Sequence, residues 1–597
     1  MVSPRNWLDE KFPYIRSEGS VSMEPIEGIV DRYRDDPVLG IAGGHPFVDV
    51  GFPMLLSALL QAMMPPRNAD EAVARLFSPP SPGHLRDVLE AYREALWLYG
   101  KKALFYQVDP RADGAEAENQ ALDISALLPD APTPAAAQNG QDFFAKRGQV
   151  RSISAALVPA VLHAHMNLFP DGGGGYYGLP HGGASIKFRL VGRTLWETVQ
   201  ANVQPRNAAE MARGPWVGKH HGAPCDGTVF AWLRDDIPTL ALDRINEKKR
   251  KSLQAKGQPV PESSLLLRTS ALHPAAPGLA MPRRYRLAAP DEDVCSLSGV
   301  HGATFSRFER WPQGPQYAPE GWRHPHVAVA TKHSRQDHGW KLEETWSVKA
   351  QGPLRVDDWL GVALCDFPEF PRDGKAKTYR AVMPPEVVRS FIGLTNGISE
   401  HLYEEGSPIG EAATEASPDL PFSVSAIALF PYGNVAGGMS ERSLPVYALP
   451  NGLAAQLAAE SAGLVEEIAE IAETLRACAA KAAKLGNPDR KVVSPGLLKD
   501  ALMGRMEGSI LRAVRNAARV FSGTDRDAAV KFVEDSARRV AAEARRAALD
   551  IFDSAFPVTG SSEMDLKILR ARAELKIRLY PKNRPESADR ERERTTA

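Results

Sequence analysis

The chain has almost no cysteine. Four residues in 597, Cys225, Cys295, Cys365 and Cys478, lie scattered with no C-x-x-C pair, which argues against a disulfide framework and a cysteine zinc site and leaves buried free thiols as the expectation. Long apolar runs are missing too. The longest, "FPMLLSALLQAMM" from Phe52 to Met64, is too short to cross a bilayer, and "MVSPRNWLDEKFPYIR" at the start lacks the apolar centre of a signal peptide. A cytoplasmic protein with no membrane partner is therefore expected. There is no charge excess: the net is −1, so the whole-chain balance advertises no nucleic acid. Signatures of catalytic sites are also lacking, with no H-E-x-x-H, no G-x-S-x-G elbow and no Gly-Lys-Ser/Thr closing a glycine run. The pairs His163/His165, His220/His221 and His324/His326 have no i, i+4 spacing, and read as core or surface histidines with no bound metal. An enzymatic role has little support.

What is present reads as a soluble globular chain, 43% hydrophobic and 24% charged, long enough for several domains. The charge is unevenly spread. From Arg490 to Ala597 there are 23 basic against 16 acidic residues, a net of +7, so the C-terminal end is the basic end. In the first third, "MLLSALLQAMM" and "HLRDVLEAYREALWLYG" have helical period, the second with Val88, Leu89, Tyr92, Leu96 and Tyr99 on one face. The segment from Asp109 to Gln141, rich in Ala, Pro, Asp and Gly, predicts an exposed connection. Between Ser185 and Pro445 short alternating runs such as "HVAVATKH" and "FSVSAIALF" predict strands in a mixed region with irregular loops.

Beyond Asn451 the composition shifts to long Ala-, Glu- and Arg-rich segments. Leu457, Leu464, Ile468, Ile471 and Leu475 recur at three- and four-residue steps, as do Leu498, Leu502, Met506 and Ile510, then Val533, Val540, Ala544, Ala547 and Ile551, then Leu566, Leu569, Ala573 and Ile577. Four amphipathic helices with short breakers predict an antiparallel four-helix bundle. The expected fold class is α+β: a large mixed α/β N-terminal domain over 1–445, a bundle over 446–580 and a disordered tail over 581–597.

Two features invite a ligand. "DGGGGYYG" places Gly173, Gly175 and Gly178 in the G-x-G-x-x-G order of a dinucleotide site. Its context fails, since Pro170-Asp171 precede the run where a strand should end, and Leu179-Pro180 follow where a helix should begin. A plain surface loop and a loop of bare backbone lying against a ligand both remain. A nucleotide-binding enzyme built on that loop is the alternative function. Arg512, Arg515 and Arg519 share one helical face, and Arg538-Arg539 recurs as Arg545-Arg546. These can be a solvated bundle exterior, as in a purely structural helical scaffold, or a track for nucleic-acid phosphates.

The order of several short motifs resembles one family. "NWL" at Asn6, the "LLSALLQAMM" helix, "DFFAKRGQ" around Phe143, the glycine run with "LPHGG", "RTLWETVQANV", "GPWV" at Gly214, "GWRHPH" at Gly321, "PYGNVAGGMSER" at Pro431 and the terminal bundle are similar, in that order, to the large subunit of the type I-E CRISPR surveillance complex Cascade, the CasA or Cse-one family. The resemblance implies a non-catalytic subunit without cofactor. Such a subunit reads the protospacer-adjacent motif (PAM) in target double-stranded DNA, helps unwind it, stabilises the R-loop and recruits a helicase-nuclease, beside guide RNA (crRNA) and the other Cascade subunits.

By the same resemblance, Gly173, Gly174 and Gly175 form a glycine loop entering the minor groove, with Arg310 as the counterpart of a lysine reaching the same groove. Phe143, Phe144 and Lys146 lie in the loop that contacts guide RNA and neighbouring subunits. Asn434, Val435 and Ala436 occupy the strand-separating wedge, where the family's best-known members carry an Asn-Gln pair. A minor groove about 6 Å wide admits bare backbone better than side chains and distinguishes mainly A·T from G·C. Base identity elsewhere falls to guide pairing. Arg512, Arg515, Arg519, Arg538 and Arg539 are the candidate phosphate contacts of the bundle.

Overall fold

The helix Pro46–Met63 has apolar side chains all round, so it must be enclosed by protein rather than laid on a surface. Its start is fixed locally: the His45 ring nitrogen accepts the Phe47 N–H at 3.1 Å, and Pro46 sits where a missing N–H costs nothing. The helix is eighteen residues long, extending beyond the apolar run seen in the sequence, and by length and composition it could cross a bilayer. It is instead 89% buried inside the protein. Helix Val158–Asn167 packs against it through Gly51, where a Cβ would stand 2.7 Å from the Ala160 carbonyl. Ser57 sits between the Pro53 and Val199 carbonyls at 2.8 and 2.9 Å, joining a third helix, Leu195–Ala201.

The computed structural model describes residues 3–108, 121–128, 131, 149–168, 185–213, 215–216, 222–234, 252–258, 267, 271–311, 317, 324–336, 339–350, 352–365, 378–404, 419–432, 435–449, 451–484, 494–521, 526–558 and 563–581. The chain forms two units. The first comprises Met1–Leu354 and Phe367–Ala448, the second Arg355–Asp366 and Leu449–Ala597.

In the first unit, Trp7 anchors the N-terminal strand to the central helices. It is fully buried, its indole N–H donates to the Ala156 carbonyl at 2.9 Å, and the rings of Phe12, Phe105 and Phe52 surround it at 5.4, 5.6 and 6.4 Å. The sheets around this core are small, two or three strands each, and their strand pairs are antiparallel. Some pairs are local hairpins, such as Val329–Gln336 with Gly339–Ser347, whereas others join distant segments: Phe308 opposes both Leu122 and Leu287, and Ile427 opposes Lys187.

Several expectations need correction. The helix in "HLRDVLEAYREALWLYG" stops at Glu90, because Trp97–Tyr99 forms a strand against Arg5–Asn6 and a short 3-10 turn, Arg93–Ala95, bridges the two. The Ala- and Pro-rich segment is not wholly exposed. Leu122–Asp123 pairs with the strand Arg307–Trp311, and Ile124 and Leu127 are buried. Of the four thiols, Cys295 and Cys478 are buried, Cys365 half-buried and Cys225 exposed.

In the second unit, the helices Asn451–Lys484, Pro495–Phe521, Arg526–Ala555 and Glu563–Leu579 form the bundle, joined by the short helix Val356–Ala363 whose Trp359 is fully buried. Charged pairs tie neighbours together: Arg545 to Glu467 at 2.6 Å, Lys481 to Glu574 at 2.6 Å, and Arg572 to Asp553. The fourth helix corrects the sequence reading. Ile568, Ala571, Leu575 and Leu579 face the bundle, whereas Leu566, Leu569 and Ile577 point to solvent.

Four of the paired histidines are core groups. The Tyr106 hydroxyl lies 2.9 Å from His163 Nδ1, and His326 Nδ1 lies 2.9 Å from the Phe188 carbonyl. His163, His324 and His326 also line a cavity of about 20 Å³, room for a single water. Burial holds His163 down to about 3 and His326 down to about 4, from an ordinary 6.5. Both rings are thus neutral in the folded chain and gain protons on unfolding, so stability is full above about pH 6.5 and falls as acid approaches those values.

Truncating Trp7 to Ala should cost about 3–5 kcal/mol, read as a lower urea midpoint followed by intrinsic fluorescence. Unfolding free energy should also be lower at about pH 5 than at about pH 7.5, with a flatter dependence in a His163→Gln/His326→Gln variant. An unchanged slope in that variant would assign the acid sensitivity to other groups.

Candidate nucleic-acid interface

Helix Val158–Asn167 leads toward the glycine-rich stretch, and strand Lys187–Val191 leaves it. Gly173, Gly174 and Gly175 themselves lie outside the described residues, as do Phe143, Phe144, Lys146, Asn434 and the His220/His221 pair. The elements on either side are described, and they constrain where the stretch emerges.

The exit strand is paired along both edges. On one side it runs antiparallel to Asp419–Tyr432, with Val191 opposite Ser423 and Lys187 opposite Ile427. On the other, the Phe188 N–H donates to the His326 carbonyl at 2.8 Å and the Ile186 N–H to the Val348 carbonyl at 2.9 Å. His326 belongs to the "HPH" motif, so that motif acts here as a backbone lock on the exit strand. Lys187 is buried at the mouth of this strand, its ammonium donating to the Ser185 carbonyl at 2.9 Å and to the Ser185 hydroxyl at 2.6 Å.

Strand Asp419–Tyr432 is also one arm of a long hairpin with Val435–Tyr447, paired through Tyr432 and Val435. Val435 and Ala436 therefore begin the returning arm, at the end where the wedge was expected. Because Lys187 opposes Ile427, the glycine-rich stretch joins the sheet on the tip side of the hairpin. From Ile427 to Tyr432 is five residues, about 17 Å of extended strand. The two sequence motifs, some 250 positions apart, share one sheet and one end of it.

Arg310 lies on strand Arg307–Trp311 opposite Tyr285, and it is half-buried. The Tyr285 hydroxyl is 3.0 Å from His165 Nδ1, and Arg283 donates to the His165 carbonyl at 2.5 Å. His165 stands three residues before Leu168, the last described position ahead of the glycine-rich stretch. Burial first, then the positive charges of Arg283 and Arg310, hold its imidazole well below 6.5. Arg310 is thus linked to the residues just before that stretch through its strand partner Tyr285.

The bundle arginines divide by role. Arg512, Arg515 and Arg519 are exposed on one face of Pro495–Phe521. Ser509 donates to Glu543 at 3.0 Å and Arg505 pairs with Asp550 at 3.4 Å, a register that sets Arg512 and Arg515 level with Arg538 and Arg539. Arg538 is partly engaged by Glu534 and Asp535 on its own helix. Arg545 is spent on Glu467, so the repeated doublet is half structural.

Sequence reasoning passed over a further basic, aromatic sheet. Strand Val329–Gln336 lies between Gly339–Ser347 and Thr378–Met383. In this sheet Arg335 lies over the Trp340 ring and Arg380, on Thr378–Met383, over the Trp346 ring, each 5.9 Å from the ring centre, with Lys332 and Lys341 on the two other strands. The alternation in "WKLEETWS" was the available signal; its partner "TYRAVM" is too distant in sequence to be joined to it by pattern alone.

Among the described residues no group of three or more His, Cys, Asp or Glu converges as a metal site would require. A search of curated proteins finds no match. Solved structures do match the fold. Thermus thermophilus CasA is similar over 97% of this chain and 99% of its own, at 17% identity and a TM-score of 0.57. Thermobifida fusca Cse1 is similar over 96% of each chain at 14% identity and 0.55, and a Cse1 from Acidimicrobium ferrooxidans over 96% and 98% at 14% and 0.51. The sequence model of CRISPR-associated protein Cse1 matches residues 6–345, more than half of the chain. The chain belongs to the Cse1, or CasA, family of CRISPR Cascade subunits.

Proposed function

We propose that this chain is the non-catalytic large subunit of an RNA-guided Cascade complex in the cytoplasm. In this reading it recognises the protospacer-adjacent motif in double-stranded DNA through the minor groove, helps open the duplex and hold the R-loop, and recruits the helicase-nuclease. The observation that carries the reading is the shared sheet: the strand leaving the glycine-rich stretch is bonded to the hairpin whose tip is the wedge candidate. Recognition and strand separation must act on neighbouring base pairs, so the two devices have to be held at a fixed spacing. A common sheet does that with backbone hydrogen bonds, whatever the side chains. Arg310, beside the root of the same stretch, supplies positive charge where a narrow groove is most negative.

The division of labour also accounts for a nearly neutral chain. Sequence beyond the motif is read by guide pairing, so the protein needs local rather than global positive charge. The exposed row Arg512, Arg515 and Arg519 is a place to hold phosphates without reading bases.

In the assembled complex, Gly174→Leu should weaken motif-containing duplex by about tenfold or more, equivalent to about 1.4 kcal/mol, in a binding titration, with subunit composition unchanged. Equal affinity would remove the glycine-rich stretch from the interface. Replacing Arg512, Arg515 and Arg519 by Ala should lower the dependence of log affinity on log salt by about 0.9 for each phosphate that is no longer neutralised, with motif preference retained. An unchanged slope would return that row to the solvated exterior.

A further inference from the structure

The last bundle helix, Glu563–Leu579, has two apolar faces. One is spent on the bundle, with Ile568, Ala571, Leu575 and Leu579 buried. The other is a row of Leu566, Leu569, Ala573 and Ile577, continued by Tyr580 just beyond the helix end. Leu566 is 56% exposed, Leu569 44%, Ile577 69% and Tyr580 44%, and Ala573 is exposed as well. Steps of three, four, four and three residues keep the row on one side of a helix and opposite Leu575, over about 21 Å of axis. Isolated exposed apolar residues are ordinary, but four large ones in register form the seam a helix presents to another helix.

The charges beside this row indicate what kind of surface it meets. Arg570 lies within it and Lys576 at its border, both exposed, and neither has an ion pair among the described residues. The carboxylate within the same helix span is committed elsewhere: Glu574 is held by Lys481 and Arg578, each at 2.6 Å. Among the described residues the row therefore combines apolar contact with positive charge that no carboxylate answers.

We propose that this outward face docks a protein partner that presents an apolar helix face bordered by carboxylates. A second copy of the chain is disfavoured, because a twofold pairing would set Arg570 and Lys576 against themselves. The C-terminal segment 582–597 has no large apolar side chain to offer the row. Nucleic acid would satisfy the cations but leave the leucines in water. The proposal goes beyond the duplex reading and does not depend on it.

The test uses the full-length chain co-expressed with the remaining Cascade subunits and a guide RNA. In Leu569→Asp/Ile577→Asp the changed side chains point to solvent, so the thermal melt of the chain should stay in place, whereas Leu575→Asp should lower it. Native mass spectrometry of the purified complex should show the Leu569→Asp/Ile577→Asp chain missing from the assembly, with retention weakened about tenfold or more. Arg570→Glu/Lys576→Glu should weaken retention too, and should abolish its sensitivity to salt. Full retention in both variants overturns the proposal. It is equally overturned if sedimentation equilibrium of the chain alone shows self-association that Leu569→Asp/Ile577→Asp removes. Co-flotation with phosphatidylglycerol vesicles through this face, or a loss confined to binding of duplex DNA, also overturns it. The Gly174→Leu titration fails or succeeds independently, so the two readings are separable.

Discussion

A helix with no polar side is the constraint on which the first unit depends. Pro46–Met63 can be stable in water only if protein closes round it, and the pieces that close round it come from far along the chain. Trp7 locks the N-terminal strand beside it, Gly51 lets Val158–Asn167 come to backbone contact, and Ser57 holds the helix Leu195–Ala201 through the Val199 carbonyl. Two of those pieces flank the glycine-rich stretch. The enclosure of one apolar helix thus fixes where that stretch begins and, through the strand Lys187–Val191, where it ends.

Charge is used in two ways. In the first unit, several arginines are buried and answered: Arg16 is clasped by Glu24 and by the carbonyls of Asp31 and Asp36, and Arg213 by Glu386. Such pairs cost desolvation and return specificity of arrangement, since removing one partner strands the other. In the bundle, arginines mostly remain near solvent, where each pair contributes little to stability. The near-zero net charge conceals this division, because the acidic excess lies before Arg490 and the basic excess after it.

The bundle was legible because its period is written locally. Leu464, Ile468, Ile471 and Leu475 need only their own helix to reveal a face, and all four are buried. The fourth helix misled for the same reason: two stripes of one period coexist, and the one with larger side chains is the outer one. Nothing in the periodicity of a single helix says which stripe meets its neighbours. The sheets were illegible where their pairing is long-range, as with Phe308 between Leu122 and Leu287. The same holds for the surroundings of Arg310. His165 is 145 positions away from it, and only the folded chain links the two through Tyr285. The spacing of motifs carried the family, whereas side-chain environments had to await the fold.

The exit strand is hydrogen-bonded on both edges, to the hairpin arm on one side and to His326 and Val348 on the other. A pull applied along the glycine-rich stretch would load those bonds lengthwise and together, as shear, instead of peeling them open one at a time. Tension arriving at residue 185 would be shared by several backbone bonds at once and passed into the hairpin as a push or pull along its length. The sheet is in that sense a stiff coupling rod between the two ends of the proposed interface, and its stiffness resides in the backbone rather than in any replaceable side chain.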